Sequence, residues 1–532
     1  MSYISYRHFN GRTIAYTEDN VEVKKLFLHR VPFKMDIETL QTYFSYFGKV
    51  LHVELMEKPL KKKFKFGYVL FESSRDAADA LLKEMHLIND RLIKVEPYHS
   101  WGQPAVENVE PIPEEAPIRK LNDDCLYRIY RYLSLTDQLN LARALKRCPP
   151  LYSSINLGTF KSISLWDMHD FFVLFGYKLK QIVGQIPRNR YRRLIEFVST
   201  HCHNLRVLRI TNSPLTVCNM YKLVGHLHQL QELKLSNCDL IDECLPSLTG
   251  LHKLKKLDLC YNDMLTGLLM DKLPSSIESL NLLYCIDVES MFLPSICSAL
   301  PQLKELGIRT LLTEHTNVFQ ELANGHCCDK LETITLQTDA SFDIQFHLEY
   351  LAKLPGLKKL IMYERPTLML LQWLVAHKSD QLTHLENNSR MSLDAQQMEL
   401  VAQLNALRIL ALPNNTDIDD DVMGKLCNLQ HLEEIHLQGC KKITDQAVLR
   451  LLLSCSKLHV LHLERCRLLS GQLIQRIIGE LRELCRLQLN CRQLPVKLYF
   501  FGAKFNDFML KHSDVQAASD MVDIELTRCP YW

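Results

Sequence analysis

A short phrase of aliphatic residues recurs through the central and C-terminal parts of this 532-residue chain. Each copy has an aliphatic residue, two variable residues, an aliphatic, one variable residue and an aliphatic, as in Leu230–Leu235 and Leu458–Leu463. A fixed period of this length indicates an array of small stacked units. The last aliphatic position of each copy falls at 210, 235, 259, 282, 308, 336, 362, 387, 412, 437, 463 and 489, where 387 is a degenerate Asn.

The spacing within each phrase predicts its local structure. In a short strand the last two aliphatic residues of the phrase point inward, and the residue between them points outward. The segments that return the chain are predicted to be helices, since Asp445–Leu453 has a capping Asp and apolar residues at helical spacing. One unit cannot bury its leucines alone, so stacking is expected to form a parallel sheet with a concave outer face.

Small polar residues mark the point where each strand ends. Cysteine or asparagine stands three residues after the last aliphatic position, where it is expected to satisfy backbone groups of the loop. These residues are Cys238, Cys285, Cys440, Cys466, Asn262 and Asn415. Three further cysteines precede the first Leu of a phrase by three residues: Cys202, Cys328 and Cys455.

With Ile443-Thr444-Asp445 after one turn, this pattern resembles the cysteine-containing class of leucine-rich repeats. The resemblance implies an α/β solenoid of horseshoe shape over residues 151–495. Two earlier units are expected at Ile155–Leu157 and Leu179–Ile182, before the clear copies begin. Residues 496–532 are predicted to be a hydrophobic C-terminal cap rich in aromatic residues.

Composition limits the classes of function. The net charge is +2, so any nucleic-acid contact must come from a local patch. No apolar run of 18 residues predicts a membrane helix, and Met1–Tyr16 has no apolar secretory segment. Eighteen cysteines then indicate reduced thiols, so cytoplasm or nucleus is the expected compartment.

The N-terminal region follows another pattern. Residues 1 to about 20 are predicted to be a disordered lead, and residues 22–98 are predicted to fold in the order βαββαβ. Phe64–Phe71 agrees at six of eight places with the longer motif of the RNA-recognition family, departing at Phe64 and Lys65. The segment therefore resembles an RNA-recognition motif, although Arg30 stands where the shorter motif usually has Asn.

In this family, aromatic side chains on the sheet face stack on unpaired bases, and basic residues contact phosphates. The RNA-contacting residues that the resemblance implies are Phe27, Phe66, Tyr68, Lys61, Lys62, Lys63 and Lys65. Two alternatives remain, because a lysine run is commonly a solvated loop and outward aromatics on this fold sometimes bind proteins. Residues 1–100 carry 16 Lys and Arg against 13 Asp and Glu, so charge alone predicts modest affinity.

Prolines and glutamates at 99–117 predict a spacer. Residues 118–150 then hold two short amphipathic helices, with Asp123 or Asp124 capping the first and Thr136 the second. One interpretation is an N-terminal cap of the repeats. The segment also resembles an F-box, with Asn122 in place of the usual Pro and without the Trp that is often found near its end.

An F-box binds the Skp-type adaptor of an SCF ubiquitin ligase, which also contains a cullin, while following repeats hold the substrate. The adaptor-binding residues that the resemblance implies are Leu121, Leu126, Ile129, Leu133, Leu139 and Leu141. On the outer face of the repeat strands, a binding hot spot is expected around an aromatic with charged neighbours. The candidate substrate-binding residues are Arg309, Tyr363, Glu386, His436 and His462, although simple solvation of this face is the alternative.

The sequence contains no phosphate-binding glycine loop, serine elbow or zinc spacing, so no catalytic activity, metal or cofactor is expected. His201-Cys202-His203 and His326-Cys327-Cys328 are not assigned to metal, because Cys202 and Cys328 belong to the repeat. The leading hypothesis is a substrate-receptor subunit of an SCF ligase that also binds single-stranded RNA. The alternative is an RNA-binding scaffold whose repeats bind a protein and which joins no ligase.

Overall fold

The computed structural model describes residues 4–9, 12–56, 64–104, 116–145, 151–310, 318–325, 328–338, 348–489, 492–501 and 513–526. The chain divides into two compact units. The first unit comprises Met1–Ser153 with Thr159–Leu179, and the second comprises Ser154–Gly158 with Lys180–Trp532. None of the helices within these described residues has both the length and the apolar character needed to cross a membrane.

The first unit begins with an antiparallel hairpin of β1 (Ser5–Phe9) and β2 (Arg12–Tyr16). The prediction of a disordered lead over residues 1–20 is therefore wrong. Ala15 is fully buried and Ile4 packs against the same core, so the hairpin adds apolar surface to the domain that follows. The few apolar residues of the hairpin are spread among polar residues. The sequence therefore shows no strand pattern there, and a disordered segment was predicted.

An antiparallel sheet with two helices on one face follows the hairpin. Its strand order is β4-β5-β3-β7-β6, and its core includes Leu26, Leu40, Phe44 and Val69. The predicted order βαββαβ is confirmed, with the short β6 added as a fifth strand beside β7. The elements are β3 (Lys25–Pro32), α1 (Ile37–Phe44), β4 (Val50–Met56), β5 (Phe64–Phe71), α2 (Ser74–Leu81), β6 (Met85–Ile88) and β7 (Arg91–Pro97).

The chain after β7 does not leave the domain at residue 99, where the spacer was predicted. Ser100–Gly102 forms a 3-10 turn, and the buried side chain of Gln103 accepts hydrogen bonds from the backbone N–H groups of Lys24 and Lys25. The same amide donates to the carbonyl oxygens of Lys25 and Tyr98. The Gln103 side chain thus joins this segment to β3. The Pro/Glu-rich residues 105–115 lie outside the described residues.

Two predicted helices, α3 (Asp123–Arg131) and α4 (Leu135–Leu145), are present. The cap of α3 is Asn122, not Asp123 or Asp124, because its side chain accepts from the N–H of Cys125 at 2.9 Å. Ser134 rather than Thr136 precedes α4, since the Ser134 hydroxyl accepts from the N–H of Asp137. Each cap lies one or two positions before the predicted residue, which lengthens both helices.

These helices pack on α5 (Leu165–Phe175) within the first unit. Arg143 on α4 donates to Asp167 at 2.6 Å and to Asp170 at 2.7 Å, both on α5. Residues 159–179 therefore belong with the helical segment, although the sequence suggested that the repeats start at 151. Short 3-10 turns lie at Pro117–Lys120, Leu157–Lys161 and Gly176–Lys178.

The second unit contains one 15-stranded parallel sheet in which every strand pairs with its neighbours in the sequence. Register partners are the middle aliphatic residues of successive phrases, as in the pairs Leu208 with Leu233 and Leu410 with Ile435. The strands are β8 (Ser154–Asn156), β9 (Gln181–Gly184), β10 (Val207–Thr211), β11 (Glu232–Ser236), β12 (Lys256–Asp258), β13 (Ser279–Leu282), β14 (Glu305–Thr310), β15 (Thr333–Thr338), β16 (Lys359–Met362), β17 (His384–Asn387), β18 (Ile409–Ala411), β19 (Glu434–His436), β20 (Val460–His462), β21 (Val496–Tyr499) and β22 (Val522–Glu525).

Return segments between the strands are helices or 3-10 turns. One 3-10 turn, Asp242–Leu248, contains Pro246, which cannot donate a helical hydrogen bond. The others are Arg188–Arg190, Met270–Lys272, Ser290–Phe292 and Leu348–Lys353. The helices are α6 (Tyr191–His201), α7 (Val217–Val224), α8 (Leu293–Ala299), α9 (Val318–Asn324), α10 (Leu368–Lys378), α11 (Ala395–Val401), α12 (Asp420–Leu426), α13 (Asp445–Ser454), α14 (Gln472–Arg486) and α15 (Ser513–Gln516).

Small polar residues at the strand ends bond the preceding repeat, as predicted. Asn262 donates to the carbonyl oxygen of Leu235 at 2.7 Å. The thiol of Cys285 donates to the carbonyl oxygen of Leu259 at 3.2 Å. Cys466 reaches the carbonyl oxygen of Leu437 in the same way. Burial raises the pKa of Cys285 to about 12, so this thiol stays protonated and remains a donor.

The last predicted phrase, ending at Leu489, is not a strand. Its first residues lie at the end of α14, which buries Leu473, Ile477 and Leu481 at helical spacing. Two aliphatic residues three positions apart fit a helix as well as they fit the repeat. The phrase alone therefore cannot distinguish a strand from a helix. The next strands are β21 and β22, in the segment predicted to be a cap. Residues 502–512 of that segment lie outside the described residues.

Candidate nucleic-acid interface

Three aromatic side chains lie together on the face of the first unit's sheet that α1 and α2 leave open. The rings of Phe27 on β3 and Phe66 on β5 stack with centroids 5.9 Å apart. Tyr68 on β5 is the register partner of Phe27. All three side chains are half-buried while their strand neighbours Leu26, Leu28 and Val69 fill the core, so the alternation of the strands puts the rings outside.

Two further rings on this face were not identified from the sequence. Tyr98, just after β7, has its ring centroid 5.8 Å from both Phe27 and Tyr68. His29 lies 4.6 Å from Phe27 in an edge-to-face arrangement. If the alternation of β7 is continued past residue 95, Glu96 and Tyr98 fall on the outer face. A predicted strand that ends at residue 95 misses both side chains.

A close backbone approach brings β4 against this surface. Gly67 lies between Phe66 and Tyr68, and a Cβ atom there would lie 2.5 Å from the carbonyl oxygen of Glu54. A larger residue would therefore push β4 away from β5. This contact explains in physical terms why the motif has glycine at this place, between two outward aromatic residues.

One row of register partners crosses four strands in the order Glu54, Tyr68, Phe27 and Glu96. The Tyr68 hydroxyl donates to the Glu54 carboxylate, and this hydrogen bond with that neighbouring charge raises the pKa of Tyr68 to about 12. The ammonium group of Lys25 lies 3.5 Å from the centre of the Tyr68 ring and 4.4 Å from that of Tyr98. Aromatic rings thus occupy the middle of the row, with a carboxylate at each end.

The second carboxylate is compensated by its neighbours. Glu96 accepts from Lys94 at 2.6 Å and from His29 at 2.8 Å. Burial alone would raise the pKa of Glu96, but the hydrogen bonds from Lys94 and His29 bring it below its usual value. The face therefore offers flat apolar rings and paired charges, and a base can stack there without a large excess of negative charge.

Of the predicted basic residues, only Lys65 lies within the described residues. Its ammonium group is 5.4 Å from the ring centre of Phe33, at the edge of the same sheet. Lys61, Lys62 and Lys63 lie outside the described residues, so their predicted contact with phosphate stays a prediction.

The predicted adaptor-binding residues divide by exposure. Leu126 and Leu139 are buried within the first unit, where Leu126 packs with Tyr130, Ala142 and Leu145. Leu121, Ile129, Leu133 and Leu141 are half-buried. Tyr132, at the end of α3, is 91% exposed. The outer surface of α3 and α4 therefore includes part of the predicted set and an exposed tyrosine that the sequence analysis did not identify.

Candidate residues on the parallel sheet also lie on its outer face. Tyr363 follows β16, and its ring centroid is 6.4 Å from that of Tyr284, which stacks on Tyr261 at 4.3 Å. Glu386 on β17 is half-buried and accepts from Asn388 at 2.6 Å. Arg309 on β14 is half-buried, with Gln337 of β15 between it and β16.

This tyrosine row, Tyr261, Tyr284 and Tyr363, was not predicted as a group. Sequence reasoning identified only Tyr363, because Tyr261 and Tyr284 lie in the turns beyond their strands. Both have positive φ values of 60°. A residue in such a turn lies outside the strand, where side chains alternate between the two faces. The repeat pattern therefore does not predict which way its side chain points.

His436 and His462, the remaining predicted residues of this face, are register partners on β19 and β20. Their rings stack at 4.0 Å, and the ring of Tyr499 on β21 stacks on His462 at 4.2 Å. His462 is only 4% exposed, so most of its surface is already covered within the chain. His436 is half-buried and closer to the solvent.

Comparison with known proteins gives one family match. Residues 26–94 match the family described as the RNA recognition motif. Among solved structures, the chain is similar to the "Structure of RRM3 Domain of Mip6 at 1.25 A Resolution", with 19% identity, a TM-score of 0.14, and coverage of 14% of this chain and 94% of that chain. No curated protein matches the chain. The matched range runs from β3 into β7 and contains Phe27, Phe66 and Tyr68, so this part of the chain is an RNA recognition motif.

Proposed function

We propose that the chain is a non-catalytic RNA-binding adaptor whose N-terminal domain binds single-stranded RNA. The observation that carries the proposal is the group of outward rings, Phe27, Phe66, Tyr68 and Tyr98, on the sheet face opposite α1 and α2. Unpaired bases stack on such rings, and each stacked base contributes about 1–3 kcal/mol. The paired carboxylates at the ends of the row favour contacts to bases over contacts to phosphates at the centre of the face.

The first test measures RNA affinity. In the full chain, Phe66→Ala with Tyr68→Ala is expected to weaken binding to a random single-stranded RNA pool by about 2 kcal/mol or more, or roughly 30-fold, because two stacking rings are lost. Fluorescence anisotropy of labelled RNA measures the change. Tyr68→Phe keeps the ring and removes only the hydroxyl that bonds Glu54, so its affinity should stay near that of the wild type.

Tyr46→Ala is the matched control for this experiment. Tyr46 is an aromatic residue that is 85% exposed and follows α1, on the helical side of the domain. Its removal should not change RNA affinity. A wild-type chain without measurable affinity for the pool would overturn RNA binding and would leave a protein as the ligand of the aromatic face.

We further propose that the parallel sheet is a leucine-rich-repeat horseshoe and that the chain is the substrate receptor of an SCF-type ligase. The sequential pairing of 15 strands and the strand-end Asn and Cys bonds support the first part. The F-box resemblance and the partly exposed surface of α3 and α4, with Ile129, Leu133 and Tyr132, support the second. Ubiquitin transfer would be performed by other subunits.

Charging that surface tests the ligase proposal. Ile129→Asp with Leu133→Asp is expected to abolish co-purification of the full chain with a Skp-type adaptor, because burying an unpaired charge costs several kcal/mol. The matched control is Met264→Asp with Leu268→Asp, two apolar residues that are 58% and 61% exposed. Recovery of the adaptor by a folded Ile129/Leu133 variant would favour the RNA-binding scaffold instead.

A further inference from the structure

Two histidines and a glutamate meet on the outer face of β19 and β20. The Oε1 atom of Glu434 lies 2.7 Å from Nε2 of His436 and 3.3 Å from Nε2 of His462. Within the described residues, this group is the one whose His, Cys, Asp or Glu ligand atoms all lie within 4.8 Å of one another. A tetrahedral ion with bonds of about 2.0–2.2 Å separates its ligand atoms by roughly 3.3 Å. The distance from Glu434 to His462 matches this value, whereas the 2.7 Å between Glu434 and His436 is a hydrogen-bond distance that must widen around an ion.

The side chain of Gln438 lies beside the first histidine. Nδ1 of His436 is 3.3 Å from the side-chain nitrogen of Gln438, while the side-chain oxygen of Gln438 is buried without a hydrogen-bond partner. The oxygen and nitrogen of a glutamine amide are assigned from their hydrogen bonds. Turning this amide over lets its oxygen accept from Nδ1–H, which satisfies Gln438 and makes Nε2 the nitrogen through which His436 would bind a metal ion beside Glu434.

The second histidine has an equivalent neighbour. Glu464 follows His462 by two residues, as Gln438 follows His436, and its Oε1 atom is 3.7 Å from Nδ1 of His462. Nδ1 of His462 and the Oε2 atom of Glu464 are both buried without a hydrogen-bond partner. A carboxylate beside the outer nitrogen of a histidine is the usual support of a metal-binding imidazole, since it fixes the tautomer with Nε2 free.

Burial and access also suit a bound ion. The side chains of His462 and Glu464 are 6% and 7% exposed, and those of His436 and Glu434 are 14% and 29% exposed. The site is thus closed on the side of β20 and open beside Glu434. The ring of Tyr499 covers the far face of His462, which limits the movement of that histidine.

We propose that Glu434, His436 and His462 bind one divalent transition-metal ion of the Zn²⁺ type. Imidazole nitrogen and carboxylate oxygen suit such ions, whereas Mg²⁺ and Ca²⁺ prefer oxygen ligands alone. Because a metal lies in the plane of the imidazole that it binds, the two stacked rings cannot stay parallel on binding. Since Tyr499 limits the movement of His462, the more exposed ring of His436 must make most of the tilt. The ion would link β19 to β20 and leave one coordination position for water or for a side chain of a protein partner.

A hydrogen-bond cluster is the competing interpretation of the same atoms. In that arrangement both Nε2–H groups donate to Glu434, and no ion is needed. Metal binding replaces these two protons, because histidine binds a metal as the neutral ligand with a free lone pair. The two interpretations therefore differ in the number of metal ions bound per chain, which can be measured directly.

The experiment counts bound metal in the full chain. Chelator-treated, reduced protein is titrated with Zn²⁺ in competition with a chromophoric chelator, and with Co²⁺ to read the ligand type from the visible spectrum. The wild-type chain should bind one more metal ion per chain than the double variant His436→Asn with His462→Asn. Its Co²⁺ spectrum should show nitrogen and oxygen ligation without the strong thiolate charge-transfer band that cysteine ligands give.

Matched variants separate this site from other histidines and from loss of folding. His431→Asn with His459→Asn changes two histidines of the same repeats outside the cluster and should bind as much metal as the wild type. Glu434→Gln keeps the shape of the side chain, so this variant should fold. It should nevertheless bind one metal ion fewer per chain than the wild type. Equal metal stoichiometry and affinity in the wild type and in folded Glu434→Gln would overturn the proposal and leave the hydrogen-bond cluster.

Discussion

At the scale of single residues, a buried Asn or Cys side chain bonds the backbone at the strand ends of several repeats. Asn262 is fully buried and donates to the carbonyl oxygens of Leu235 and Leu259, while its own oxygen accepts from the N–H groups of Cys238 and Leu240. Cysteine at the equivalent places has no amide group that could make all four of these bonds, although the thiol of Cys285 still donates to the carbonyl oxygen of Leu259. Asn262 is therefore expected to contribute more than its cysteine counterparts.

We predict that Asn262→Ala lowers the free energy of unfolding by about 3 kcal/mol or more, because each buried backbone group left without a partner costs about 1–3 kcal/mol. Asn262→Cys should lose less, since the thiol can still donate to a carbonyl oxygen. Urea unfolding followed by circular dichroism gives the values. Gln231→Ala, at an exposed position, should change the value by less than about 0.5 kcal/mol, and an equal effect of all three changes would contradict the prediction.

On the aromatic face of the N-terminal sheet, some side chains could be predicted from the sequence and others could not. Phe27, Phe66 and Tyr68 were found because a motif fixes their spacing within strands. Tyr98 and Lys25 were missed, because their positions over the rings depend on how strands distant in sequence pair. Glu434 was missed for a related reason, since its relation to His462 exists only across the register of β19 and β20.

At the scale of elements, periodicity predicted most repeat strands but not the end of the array. The copies from 210 to 463 correspond to β10 through β20, including the degenerate copy at Asn387. Asn387 is buried and donates to the carbonyl oxygen of Glu364 at 2.6 Å, so a polar residue replaces the leucine without an unsatisfied group. Leu484 and Leu487, by contrast, fit the phrase but belong to the end of α14 and its cap.

Segments held by only a few side chains were also poorly predicted. The β1–β2 hairpin is joined to the N-terminal core through Ala15 and Ile4, and residues 100–103 are held by Gln103. Single anchors of this kind carry no periodic signal. Their effect depends on tertiary contacts, which composition and local propensity do not encode.

At the scale of the whole molecule, the chain combines two kinds of cooperativity. The RNA recognition motif has one closed core in which β3 contacts β5 and β7 and packs under both helices. The parallel sheet is a linear array in which each strand pairs only with its sequence neighbours. Stability in such an array is approximately a sum of unit and nearest-neighbour terms, so a local defect should weaken with distance from its site.

We predict that two core changes spread differently, as measured by hydrogen–deuterium exchange with peptide-level mass spectrometry. Leu40→Ala and Leu410→Ala each empty a fully buried position and should cost about 2–5 kcal/mol. Leu40→Ala should accelerate exchange throughout β3–β7 and leave β17–β19 unchanged, whereas Leu410→Ala should accelerate β17–β19 most, with a decline towards both ends of the array. Leu82→Ala and Leu468→Ala, at positions 64% and 54% exposed, are the controls. A uniform acceleration of the whole parallel sheet by Leu410→Ala would show that this sheet unfolds as one cooperative body rather than as a chain of neighbours.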